Sequence, residues 1–321
     1  MNISVMDPID KAYTRTKVAL FRKFELSKWL TIGFSAWLAG LGERGGAHFQ
    51  FSNWSHGKGG GLPSRVRVVE FVDDHLAIII TVAALVIVLI LGITALIQWL
   101  SSRGKFMFYD NVVTDRALIG EPWRRYRAPA WNLFIFRLVL AIVIWFVVIG
   151  IALAGVMIAW PDVTGGDFGI NSMVALAVGV PAILAAVLIV MLITSALNDF
   201  VVPIMALRGM DSVMPALRVF ASEILGVAPG TCLLYVLMRF ILGIALSLLV
   251  LVLGCMTCCI GFCVFALPYV GTVVLLPIAY FFRSYPLYFI EQFGPQWRIF
   301  PAAAAASAAP PEPASPPVRG I

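Results

Sequence analysis

The chain has 321 residues, 61% of them hydrophobic and only 12% charged, with a formal net charge of +6. At a mean hydropathy of +0.95 it has too little polar side chain to cover a water-soluble globule of this length, which excludes a soluble enzyme. An all-α polytopic membrane protein is expected instead, with the lipid bilayer as its first partner and no nucleic acid.

The leader reads as an interfacial amphipathic helix over residues 7–24. Asp7 is placed as its N-cap, Pro8 at the first helical position and Asp10 in the first turn. Ile9, Tyr13, Leu20 and Phe24 recur on one face, opposite Lys11, Arg15 and Arg22. Such a helix lies in the headgroup plane. The leader carries six cations and no small-residue cleavage pattern, so no cleavable signal peptide is expected.

Apolar runs then predict six spans, at about residues 27–42, 76–100, 131–160, 173–198, 231–253 and 272–290. The first run is short, and charge decides it. Lys11 to Lys28 precede it, while Arg103, Lys105, Arg116, Arg124, Arg125 and Arg127 lie after the second run. Both basic regions belong on the cytoplasmic side, which requires two crossings between them. Both termini are therefore expected inside, on the cytoplasmic face of the membrane.

The loop 43–75 falls outside and is rich in glycine. It holds His48, His56 and His75 near Glu43, Glu70, Asp73 and Asp74. Imidazole and carboxylate are ordinary metal ligands, but this stretch is too flexible to preorganise them, and no metal or cofactor is expected. Phe49, Phe51 and Trp54 are read as dipping into the interface.

Two segments repeat each other. DNVVTDRALIG (Asp110 to Gly120) and DFVVPIMALRG (Asp199 to Gly209) share six of eleven residues in register. Each follows an apolar run, and each precedes another that opens with RLVLAI at Arg137 or RFILGI at Arg239. A third likeness joins GEPWRRY from Gly120 to GPQWRIF from Gly294. Parallel two-helix units, each led by a cytoplasmic interfacial segment, account for the pattern. Arg137 and Arg239 stand about two turns inside their spans, where a charge is costly unless paired. Asp110 and Asp199 are the expected structural partners. Binding of an anionic headgroup or solute by the two arginines is the alternative, and Arg124, Arg125 and Arg127 are expected to contact anionic phospholipid headgroups.

Between residues 253 and 272 the chain is apolar yet interrupted by Gly254, Gly261, Pro268 and Gly271, which suggests a membrane-buried hairpin. Cys255, Cys258, Cys259 and Cys263 lie in it. They are read as packing residues, with a disulfide or metal site as the alternatives. Residues 1–300 form the membrane domain, and the Ala/Pro-rich tail 301–321 is expected to be disordered. Walker, HExxH and GxSxG patterns are absent, so no catalytic residue is assigned and no enzyme is expected.

RGKFMFYDNVV, EPWRRY, NLFIFRL, the Gly-rich loop after WLAGLGE, and LPYVGTVVLLP followed by FFRSYPLYFIEQFGP resemble an uncharacterised family of bacterial multi-pass membrane proteins. In layout that family is similar to the membrane domain of some glycerophosphodiester phosphodiesterases. The resemblance implies a six-helix membrane fold and no established activity. A non-enzymatic membrane component, for envelope organisation or partner binding, is the leading expectation; a carrier or channel for a small anion or lipid using Arg137 and Arg239 is the second.

A cysteine introduced at Ser55, with the native cysteines removed, is expected to react with an impermeant reagent in intact cells. Protection of Ser55 together with labelling of the tail would reverse the topology.

Overall fold

The computed structural model describes residues 3–22, 24–44, 65–165, 169–257, 261, 264–265 and 267–300. The Gly-rich stretch 45–64, Cys258, Cys259, Cys263 and the tail 301–321 lie outside the described residues, as do His48 and His56.

Among the described residues the fold is entirely helical. In chain order the elements are α1 (Asp7–Lys17) with a π-turn (Val18–Arg22), α2 (Leu26–Arg44), α3 (Arg65–Thr114), α4 (Gly120–Arg125), α5 (Arg127–Gly165) and α6 (Ile170–Ala196). A second π-turn (Leu197–Val201) leads into α7 (Val202–Arg208), followed by α8 (Val213–Val219), α9 (Pro229–Met256), α10 (Pro268–Val274) and α11 (Leu276–Ile290). Two short 3-10 turns, Glu291–Phe293 and Pro295–Trp297, close the described chain.

Among the described residues four stretches are long and apolar enough to cross a membrane: Ile80–Thr114, Arg127–Asp162, Ile170–Arg208 and Pro229–Met256. The expected first span is not among them. Lys28, Glu43, Arg44 and the interspersed Ser, Thr and Gly residues lower the hydropathy of α2 below that of a self-sufficient span. The expected last span, 272–290, is broken into α10 and α11, which meet at 67°. Leu275 leaves helical geometry there, and Pro277 in the first turn of α11 has no N–H to continue the α10 ladder. Counted as one broken span, the pair makes five.

Burial divides the molecule into two parts. No residue in the most apolar window of any of the four long helices is buried. Their other ends converge with α1, α2, α4, α8 and α11 into a packed head, whose core includes Trp297, Tyr235, Tyr280, Tyr285, Phe106 and Phe289. The polarity of the helices explains the division. A bilayer solvates Leu, Ile and Val, so the apolar lengths gain little by packing on one another, whereas the polar ends must find partners for every buried donor and acceptor.

α2 runs antiparallel to the final third of α3. Ser101 Oγ donates to the Ala39 carbonyl at 2.8 Å, Asn111 Nδ2 to Ser35 Oγ at 3.3 Å, and Lys28 Nζ reaches Asp115 at 3.0 Å. The approach is close because Gly104 faces α2 there; a Cβ at that position would overlap Ala39 N and the Leu38 backbone. α1 docks on α11 through Pro8, Ala12 and Thr16, and of the expected stripe Leu20 is buried and Ile9 packs on the core. Tyr13 and Phe24 are exposed. Small side chains win the inner face because α1 lies against helices rather than against lipid. Its N-cap is Met6, one residue earlier than expected, and Ser4 Oγ accepts from the Met6 and Asp7 N–H groups at 3.2 and 3.3 Å.

Gly104→Ala is expected to destabilise the protein by about 1–3 kcal/mol through overpacking against backbone that cannot yield. Gly92→Ala, with nothing within 4 Å of its Cβ, is expected to cost nothing. Thermal unfolding of the two variants in detergent compares them, and equal stabilities would remove the close α2–α3 approach.

Candidate functional site

The site begins with a proline. Pro203 has no N–H, and the Val202 N–H is taken by the Leu197 carbonyl in the π-turn. The Asn198 carbonyl thereby loses both of its possible helical donors. Arg283, from α11, supplies one: its Nη1 donates to the Asn198 carbonyl at 2.6 Å. Nη2 of the same guanidinium donates to the Lys105 carbonyl of α3 at 3.3 Å. One side chain thus ties three helices together at one level. Lys105 Nζ adds a short hydrogen bond to Asn198 Oδ1.

Next to this junction Asp199, 3% exposed in its side chain, gathers donors. Arg239 Nη1 lies 2.6 Å from Asp199 Oδ2, Tyr235 Oη 3.2 Å and Ser195 Oγ 3.3 Å from the same oxygen. Tyr235 is held by rings, stacked on Tyr285 at 5.0 Å and packed on Phe289 at 4.6 Å. Between α2, α3, α6, α9 and α11 these groups line a cleft of about 190 Å³, walled by Ala36, Ala39, Gly40, Phe108 and Phe282. Lys105, Arg239 and Arg283 share the cleft's lining with one carboxylate, that of Asp199. Its lining offers charge and hydrogen-bond donors to an anion the size of a chloride or phosphate, and no nucleophile–base pair.

The first repeat copy is built differently. Tyr126 Oη donates to Asp110 Oδ1 at 3.0 Å, and the nearest guanidinium is that of Arg125, at 4.0 Å and largely exposed. Asp110 thus has a tyrosine hydroxyl and a more distant guanidinium, where Asp199 has Tyr235 and a close Arg239. Tyr126 precedes α5, and Arg137 lies eleven residues further on, a rise of about 16 Å along a helix. Arg137 is buried in the head-proximal part of α5. Burial first, and then the Asp110 carboxylate, hold the Tyr126 phenol above its ordinary pKa. Arg124, Arg125 and Arg127 are all exposed on the head.

Residues 3–271 match a family of unknown function, DUF7544. The chain belongs to that family. Its description states no activity, and no curated protein and no solved structure matches the chain. For this family member the geometry is therefore the source of functional inference.

Lys105, Asn198 and Arg283 were not singled out as site residues in the sequence. Arg283 carried a signal: it sits within the expected last span, an intramembrane cation like Arg137 and Arg239, but counts with the basic tail when charge alone is tallied. Among the described residues no cluster of three or more His, Cys, Asp or Glu side chains forms a metal site. Cys255 is exposed and Cys232 buried, both as free thiols.

Arg239→Leu is expected to cost about 2–3 kcal/mol, below the about 3–5 of a fully buried pair because Arg239 keeps 26% side-chain exposure. Arg239→Leu combined with Asp199→Leu should recover part of that loss, and strictly additive losses in the double-mutant cycle would rule out the coupling. At the other copy, Tyr126→Phe should cost about 1 kcal/mol and Arg125→Leu less, read from the same unfolding curves.

Proposed function

We propose that the protein is a non-enzymatic component of the bacterial inner membrane, whose head organises the ends of long helices that remain free to assemble with other membrane helices. Counting α2 and the broken α10–α11 pair, the chain crosses six times in parallel two-helix units, with the head and both termini cytoplasmic. The layout likeness to the membrane domain of glycerophosphodiester phosphodiesterases belongs to the same reading.

One observation carries it: the polar ends are locked into a packed head, while the apolar windows contain no fully buried residue. Small residues on those windows, Gly92, Gly150, Gly155, Gly179 and Gly243, have open space at the Cβ position. Such positions let a second helix approach closely in lipid, where packing rather than hydrophobicity drives association. The charge distribution supports the orientation. Lys28, Arg208, Arg239 and Arg283 are engaged by protein partners, and Lys11, Arg22, Arg124, Arg125 and Arg127 are exposed, where an anionic leaflet attracts them.

The polar cleft favours a second reading, a carrier or channel for a small anion or lipid in which Arg239 contributes charge and Arg137 lines the route. The two readings separate on reconstitution of the full chain. The first expects more than one copy, or a constant second membrane protein, per native nanodisc, and no chloride or inorganic phosphate flux above that of empty vesicles. Anion flux that Arg239→Leu abolishes would replace the first reading with the second.

A further inference from the structure

A second cavity, of about 470 Å³, lies between α3 and α5 at the edge of the head, lined by Trp99, Arg103, Arg127, Ala128 and Trp131. Two arginines face it, and no carboxylate pairs with either among the described residues. Arg103 is 9% exposed. Its guanidinium carbon lies 5.3 Å from the Trp99 ring and 5.0 Å from the Trp123 ring, and Nη1 donates to the Trp123 carbonyl at 2.9 Å. Its Nε is buried with no hydrogen-bond partner. A cation set against two indoles that meet edge to face is positioned without being neutralised. Arg127 opens α5, so the positive end of a 39-residue helix adds to the same corner.

The level of this cavity along the helices identifies its ligand class. Trp99 and Trp131 stand where the apolar windows of α3 and α5 give way to the head, the depth at which indoles sit between acyl chains and headgroups. The arginines lie four residues, about one turn, further toward the head, the side on which a phosphate would lie beyond such indoles. On the other side, Ile93, Leu96, Ile135 and Val139 leave exposed apolar surface along the two helices, onto which acyl chains can lie. A free anion would use only the cationic half of this arrangement.

We infer that Arg103 and Arg127 bind the phosphate of a membrane phospholipid in the α3–α5 groove, with Trp99 and Trp131 flanking its glycerol region. The inference rests on the reading that the head lies against an anionic leaflet, and it names one defined site on that surface. Bidentate guanidinium groups suit phosphate oxygens, and the desolvated setting of Arg103 strengthens each such bond.

Native mass spectrometry of the full chain with added dioleoylphosphatidylglycerol tests it. The unaltered protein is expected to keep one lipid adduct at low lipid excess. Arg127→Gln, at an exposed side chain not needed for packing, should lower adduct occupancy about tenfold, as loss of one charged hydrogen bond does. Arg103→Gln should lower it at least as far; if that variant fails to fold, Arg127→Gln decides alone. Arg298→Gln, an exposed charge elsewhere, should leave it unchanged. Equal loss in Arg127→Gln and Arg298→Gln would overturn the site and leave only diffuse attraction of lipid to the head. Displacement of the lipid by millimolar inorganic phosphate would overturn the lipid as ligand in favour of a free anion. Absence of any adduct on the unaltered protein would remove both the site and the leaflet-facing reading beneath it.

Discussion

The Arg283 guanidinium, shared between the carbonyls of Asn198 and Lys105, is the constraint on which the head depends. It answers a deficit written in the backbone: Pro203 and the π-turn leave Asn198 without a helical donor, and an orphan carbonyl in a nearly dry interior costs about 1–3 kcal/mol unless something donates to it. A cation from α11 satisfies it and, by the same planar fork, brings α3 to the same level. The cleft, the Asp199 cluster and the aromatic box around Tyr235 are assembled about that junction.

Similar logic recurs at the rim of the head. Arg15 of α1 donates to the Val112 and Val113 carbonyls at 2.8 and 3.0 Å, satisfying the last turn of α3, and it lies over the Phe300 ring. Arg208 pairs with Glu223 at 3.0 and 2.5 Å and covers Trp297. Arginine serves where helix ends must be closed in surroundings poor in water, because its several donors reach backbone carbonyls while its flat face accepts an aromatic ring. A basic composition in such a protein therefore reports helix termination as well as topology.

The apolar lengths were legible because hydropathy is a property of the run itself, and the four long helices fall on four of the six expected spans. What hydropathy could not show was partnership. α2 lies along a polar stretch of α3, with Gly104, Ser101 and Asn111 supplying its partners, so its own composition did not need to be that of an independent span. Of the stripe expected on the leader, Leu20 and Ile9 meet the core and Tyr13 and Phe24 do not, while Ala12 and Thr16 are buried because close docking on α11 selects for size over hydrophobicity. The repeat pointed to Asp110 and Asp199 as equivalent carboxylates, and Asp199 meets Tyr235 and Arg239 while Asp110 meets Tyr126 and, at longer range, Arg125. Both acids take a tyrosine hydroxyl, and what differs is the guanidinium, at 2.6 Å from Asp199 and at 4.0 Å from Asp110.

α3 has 50 residues and no break, a length of about 75 Å against a hydrocarbon layer of about 30 Å. Its apolar portion and the portion that carries Arg103, Lys105 and Asp110 are one rigid rod. A helix answers a thinner or thicker bilayer by changing its tilt, and a rod without a joint delivers that tilt undiminished to whatever its other end holds. The apolar length of α3 and the Lys105 carbonyl that Arg283 holds are in this way two points on one unbroken axis, so neither can be reoriented without the other.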